Sequence, residues 1–319
     1  MDIINELIKT CKDDNGNVRR AAAVALGEMK ANVAKNALAA LLKDKEPVVK
    51  EAAIYALGDI GAADAAELLA RLLTKPDGDV RKAIMQAVSI KGGQEAEKPA
   101  QPGGKDKPAG DNWKVKKAAA LVLCKLKPEL AVEPLISLLD QDNNNLRIAS
   151  IVGLGNMEAG QAGEKLTELL NDKEWEIRKS TCTALGKIKY AKATSGLVAR
   201  LSDSKSVVRT EAVIALNNIK PPEALEPLIE SLKKDNNPDV RKTIAIAIGN
   251  TKSEKAVPAL ADACGDEAWQ VRMASVSSLG NLKFPEGLTP VMNCLADKHE
   301  DVRHTASIVY PRLLALKSG

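Results

Sequence analysis

Residues 266–282, DEAWQVRMASVSSLGNL, place an Asp five residues before a Val-Arg pair and a Leu-Gly pair eight and nine residues after the Val. The same skeleton recurs along the chain, its apolar anchor falling at Val18, Val49, Val80, Val115, Leu146, Ile177, Val208, Val240, Val271 and Val302. Successive anchors lie 31 residues apart except for one interval of 35 and one of 32. A period between about 20 and 50 residues marks an array of like units and changes the meaning of every other feature. The neighbouring columns agree with the anchors. A basic residue follows each anchor, and Asp stands five before it at Asp13, Asp44, Asp172, Asp203, Asp235, Asp266 and Asp297. Gly stands nine after it at Gly27, Gly58, Gly155, Gly186, Gly249 and Gly280, where it is expected to let the helix end, a place that often needs a positive φ.

Each period holds two helical patterns. In EPLIESLKKD (226–235) and DVRKTIAIAIGN (239–250) apolar residues recur at three- and four-residue spacing, and Asp, Asn, Gly and Pro punctuate the breaks. A pair of short helices cannot bury its apolar face alone, whereas a row of such pairs can. The expected fold is therefore all-α: an α-solenoid of about ten helix-turn-helix repeats forming a single domain over 1–319. Aromatics are only 2% of the residues, so the core is thin and aliphatic, with Ala on its buried side at Ala22, Ala53 and Ala212.

The interval of 35 contains KGGQEAEKPAQPGGKDKPAGDN, in which eight of the residues from 91 to 110 are Gly or Pro. Such a composition excludes a helix interior. Residues 91–111 are expected to be an insertion loop replacing the first helix of the fourth repeat, with a tethered docking segment or a hinge between 1–90 and 112–319 as the alternatives.

The motif in DKEWEIRKSTCTALGKI (172–188), in 266–282 and in DGDVRKAIMQAV (77–88) resembles the HEAT repeat, in particular the HEAT-like repeat of phycobilisome lyases. First helices with an early Pro, at Pro134, Pro227 and Pro258, share the resemblance, which spans all but residues 91–111. It implies that the Asp and Arg columns pair between neighbouring copies as a structural ladder, and that second helices line a concave surface. For function it implies little, because many activities share one fold.

Nothing in the chain marks an enzyme. His299 and His304 are the two histidines, and only His299-Glu300 matches the His-Glu pairs with which the HEAT-repeat hydroxylases hold iron. No phosphate-binding, nucleophile-elbow or dinucleotide fingerprint is present. No cofactor is expected. The glycosylase relatives of the repeat use a strongly basic, aromatic-lined groove, whereas this chain balances 46 Lys+Arg against 42 Asp+Glu for a net +4, which argues against nucleic acid as a partner. An accessory role beside a bilin lyase or other modifying enzyme, and weak nucleic-acid binding, stand as alternatives. Five scattered cysteines without a C-x-x-C pair suit a reducing compartment, and no apolar run reaches membrane-span length, so a cytoplasmic location is expected. Trp113, Trp175 and Trp269, each two residues before an anchor, are expected to pack at helix starts, or else to grip a partner.

On a helical wheel the anchor and the residues 4, 8 and 11 after it face the core, and those 2, 6 and 10 after it face outward. The outward columns are informative. Six after the anchor stand Tyr55, Leu121, Val152, Ile214, Ile246 and Ile308, too apolar for a merely solvated face. Ten after it, Asn156, Asn218, Asn250 and Asn281 align, and two after it Lys82, Lys117, Lys179 and Lys242 add positive charge. These residues are the candidate site: an apolar floor with an amide row and a basic row, suited to a protein or extended peptide partner in a non-catalytic scaffold. Helix termination by Asn, and partial burial of the apolar column through curvature, are the plain alternatives. The oligomeric state is left open.

Overall fold

A computed structural model describes residues 2–74 and 112–317, and all of the regular structure among them is helical. The insertion expected at 91–111, and Lys82, lie outside the described residues. The chain forms two compact units, residues 1–157 and 158–319, each an all-α solenoid.

In the first unit the helices run Asp2–Thr10, Gly16–Glu28, Lys35–Leu41, Pro47–Ile60, Ala66–Thr74, Asn112–Leu126, Pro128–Leu138 and Asn144–Asn156. In the second they alternate short and long: Gly163–Glu168, Trp175–Ile188, Thr194–Ala199, Ser206–Ile219, Leu225–Lys234, Pro238–Gly249, Val257–Ala263, Trp269–Leu282, Leu288–Asn293 and Glu300–Lys317. Several second helices start where the sequence supplies a capping acceptor or a Pro, whereas those beginning at Trp175, Ser206 and Trp269 have neither at the cap. The Asn143 side chain accepts from the Leu146 N–H, Asn237 accepts from the Asp239 N–H, and Pro47 and Pro238 take the first turn, where no N–H is needed. Most first helices are entered through a single 3-10 turn, as at Asn32–Ala34 and Pro222–Ala224, while Pro128–Leu138 starts directly on its Pro.

The anchors form the spine of the core: Val49, Ile177, Val208, Val240, Val271 and Val302 are all buried, as are Leu26, Leu57, Leu154, Leu185, Leu216, Ile248 and Leu279 eight residues on. Burial of one such side chain contributes roughly 1.5–3 kcal/mol, and repetition builds the stability. The wheel is less faithful eleven residues after the anchor. Leu282 and Leu313 are buried there, but Met29, the cap residue just past its helix, is 47% exposed.

The glycine column does not serve to end the helix. Gly27, Gly186 and Gly280 lie inside their helices, Gly249 is the last residue of its own, and none of the four has a positive φ. They sit where neighbouring second helices touch. A Cβ on Gly27 would stand 2.8 Å from the Ala56 Cα, and one on Gly186 would stand 2.7 Å from the Ala215 Cα. The left-handed residue comes three positions later, twelve after the anchor, at Lys30, Gly61, Glu158, Lys189, Lys220, Lys252 and Lys283, with φ from 49° to 73°. Close approach therefore fixes Gly in its column, and the left-handed turn accepts Lys. The Lys charge at a helix C-terminus is favourable in the field of the helix.

In the second unit adjacent second helices pack along one another, whereas adjacent first helices such as Thr194–Ala199 and Leu225–Lys234 touch far less.

Candidate functional site

The Arg and Asp columns form rungs between neighbouring repeats. Arg19 donates from Nε and Nη2 to Asp44, at 2.6 and 2.8 Å. In the second unit Arg178 pairs with Asp203, Arg209 with Asp235, Arg241 with Asp266 and Arg272 with Asp297, each through the same two-pronged contact. The remaining Nη1 donates back to the peptide carbonyl of the Arg's own turn, as from Arg178 to Asp172 at 2.9 Å. Each Asp also accepts the N–H two residues on, as Asp203 does from Lys205 at 3.0 Å. Burial pushes the Asp203 and Asp266 carboxyls upward, but hydrogen bonds from Arg and backbone outweigh it and hold both below the usual carboxylate range. For Asp297 the Arg272 hydrogen bond dominates and acts in the same direction. These charges tie neighbouring repeats together.

No group of three or more His, Cys, Asp or Glu residues among the described residues could hold a metal ion. His299 stacks on the Trp269 ring, with centroids 3.9 Å apart and planes 7° from parallel, which ties one repeat to the next. Burial pushes the Cys124 thiol up to about 11 and the Cys182 thiol up to about 12, far from a nucleophile's range. No helix among the described residues is long and apolar enough to cross a membrane.

The outward columns of the second helices carry exposed apolar side chains. In the first unit Val24, Tyr55, Leu121 and Val152 are 40–41% exposed; in the second Ile214, Ile246 and Ile308 are 38–45% exposed, with half-buried Thr183 and exposed Ser277 completing the column. This regular half-exposure leaves one edge of each side chain against its helix and the other in water. Burial pushes the Tyr55 phenol up, with nearby Glu51 adding to the shift.

The amide row is less uniform than its spacing. Asn156, Asn218 and Asn281 are exposed, but Asn250 caps its helix and its Nδ2 donates to Asn217 Oδ1 at 3.0 Å. The lysines are half-buried: Lys117 lies 6.0 Å from the Trp113 ring centroid, Lys242 stands 3.6 Å from Asp239, and the Lys179 carbonyl accepts from Thr183. The single Thr183 hydroxyl hydrogen has a shorter alternative acceptor in Glu211 at 2.8 Å, so the basic row of the second unit carries an acidic neighbour.

Sequence reasoning missed a further apolar contribution to this surface. Val48 and Val207, one residue before their anchors, are 38% and 43% exposed. At 100° per residue that position falls between the columns six and ten after the anchor, so the same wheel would have found it.

Four segments of the chain, 4–89, 109–180, 163–242 and 225–309, match the family model for HEAT repeats. No curated protein matches it at the level of sequence. Among solved structures, a chain of the Kap95p–RanGDP complex is similar over 99% of this chain and 45% of its own, at 15% identity and a TM-score of 0.65. YibA of Escherichia coli is similar over 91% and 96% at 16% identity, TM-score 0.57, and an engineered protein over 100% of both chains at 19% identity, TM-score 0.50. At these identities the likeness extends to the fold alone.

Proposed function

The chain belongs to the HEAT-repeat family, and we propose that it is a non-catalytic scaffold that binds a protein partner, through an extended peptide segment, along the exposed face of its second helices. The observation that carries this reading is the column of large apolar side chains, Tyr55, Leu121 and Val152 in one unit and Ile214, Ile246 and Ile308 in the other, held about two-fifths exposed helix after helix. Solvation gives no reason to repeat an apolar residue at that position, whereas a row of exposed apolar side chains suits an interaction surface. Asn156, Asn218 and Asn281 supply donors and acceptors beside the column, and Lys117, Lys179 and Lys242 supply charge. Packed helices stand about 8–10 Å apart. An extended polyproline-type segment advances about 9 Å in three residues, so a partner lying along the row would offer every third side chain to successive helices.

The test is Ile214→Glu with Ile246→Glu. Proteins captured by the wild-type chain from its native host should be lost from the variant while helicity by circular dichroism stays the same. An identical set of captured proteins would remove the face from consideration.

A further inference from the structure

At one junction in the second unit the packing rule is broken. Asn217 occupies the column that holds Gly186, Gly249 and Gly280 in the neighbouring copies. At those glycines there is no room for a side chain, a Cβ on Gly186 falling 2.7 Å from the Ala215 Cα and one on Gly249 falling 3.0 Å from the Ser278 Cα. An Asn in that place must hold helices Ser206–Ile219 and Pro238–Gly249 apart. A cavity of about 310 Å³ lies at this junction, floored by Leu216, Leu225, Leu228 and Ala247. That volume is at the lower end of the roughly 300–1,000 Å³ of ligand pockets.

Its polar lining is specific. The Asn250 amide donates to Asn217 Oδ1 at 3.0 Å, which leaves Asn217 Nδ2 as a donor and Asn250 Oδ1 as an acceptor with no partner among the described residues. An amide NH2 beside an amide C=O can satisfy a single peptide group, which offers one C=O and one N–H. Lys220 and Lys255, both exposed, stand at the same cavity.

We propose that this cavity is an anchor pocket for one apolar side chain of a bound peptide. The Asn217–Asn250 pair holds the adjoining peptide group, and the two lysines favour acidic residues on either side. The proposal rests on the peptide-scaffold reading above and gives it a specificity site.

The experiment uses the full chain with methyl-labelled Leu and two blocked tripeptides, acetyl-Asp-Leu-Asp-amide and acetyl-Lys-Leu-Lys-amide, titrated by NMR. The acidic peptide should shift the Leu216, Leu225 and Leu228 methyls in the millimolar range expected of so small a ligand, and the basic one should bind several-fold more weakly. Asn250→Ala should weaken the acidic peptide by about tenfold, the usual consequence of losing one or two hydrogen bonds. Asn217→Gly, which restores the column residue and lets the helices close, should abolish the shifts with helicity kept. Absence of shifts at the pocket leucines, equal affinity for the two peptides, or unchanged binding in both variants would overturn the proposal. The tripeptides report on the pocket alone, so a partner still captured by Ile214→Glu with Ile246→Glu would refute the face and leave these titrations to be judged separately.

Discussion

Replacing Asp203 by Ala breaks one rung of the second unit, and the structure sets the size of the effect. The Asp203 side chain is 1% exposed and that of Arg178 is 10% exposed. Asp203 accepts from Arg178 Nε at 2.7 Å and Nη2 at 2.8 Å, and from the Lys205 N–H at 3.0 Å. Ala leaves that fork with no acceptor in a site that water barely reaches, while the Nη1 bonds to the carbonyls of Asp172 and Lys173 remain. Removing one member of a buried pair destabilises by about 3–5 kcal/mol. For a cooperative unit of roughly 160 residues, at about 2–4 °C per kcal/mol, this is about 6–20 °C in Tm. Urea and thermal unfolding followed by circular dichroism and tryptophan fluorescence would read it, because Trp175 and Trp269 lie in the affected unit. Asp203→Leu combined with Arg178→Met should recover most of the loss, since apolar replacement of both partners removes the orphaned charge. A loss below about 1 kcal/mol for Asp203→Ala, the range of exposed ion pairs, would refute the reasoning.

Gly186→Ala should destabilise by about 1–3 kcal/mol, because its Cβ meets the Ala215 backbone, while Gly160→Ala, with nothing within 4 Å, should be neutral or slightly stabilising; equal effects in chemical denaturation would contradict the close-approach account. Lys189→Gly should stabilise by up to about 1 kcal/mol by relieving a left-handed residue at φ 56°, and a clear destabilisation would show that the Lys side chain matters more than its backbone. The depressed carboxyls of Asp203, Asp266 and Asp297 give stability that is complete above their unfolded pKa of about 3.9 and is lost as the pH falls through their folded values. Tm should therefore stay level from pH 7 to about 5 and drop below about 4; a decline already under way at pH 6 would point to another group.

The recurring columns made the array legible in the sequence, because burial and pairing act on every copy alike. Val271 and Arg272 carry in one repeat what Val208 and Arg209 carry in another, so period located the core, while the pairing of the Asp and Arg columns into a ladder followed from the resemblance to the HEAT repeat. Columns fixed by contacts between repeats were harder to read. Gly186 looked like a helix terminus because Gly commonly is one, and only the Ala215 backbone beside it shows why a side chain is excluded. The left-handed position was hidden because Lys189, Lys220 and Lys283 occupy it, and Lys carries no conformational signature. Ile214 and Ile246 were recognisable as outward-facing from helical period, while Val207 went unnoticed on the same face. Asn217 has meaning only as the exception in a glycine column, and that meaning appears once the helices beside it are seen to part around a cavity.

Site-specific photocrosslinking in the native host tests the proposed interaction face most directly. A photoreactive residue placed at Tyr55, Ile214 or Ile246 should form covalent adducts with a partner protein, and one placed at exposed Glu226 on a first helix should not. Adducts formed at Glu226 and absent from the three second-helix positions would contradict the account.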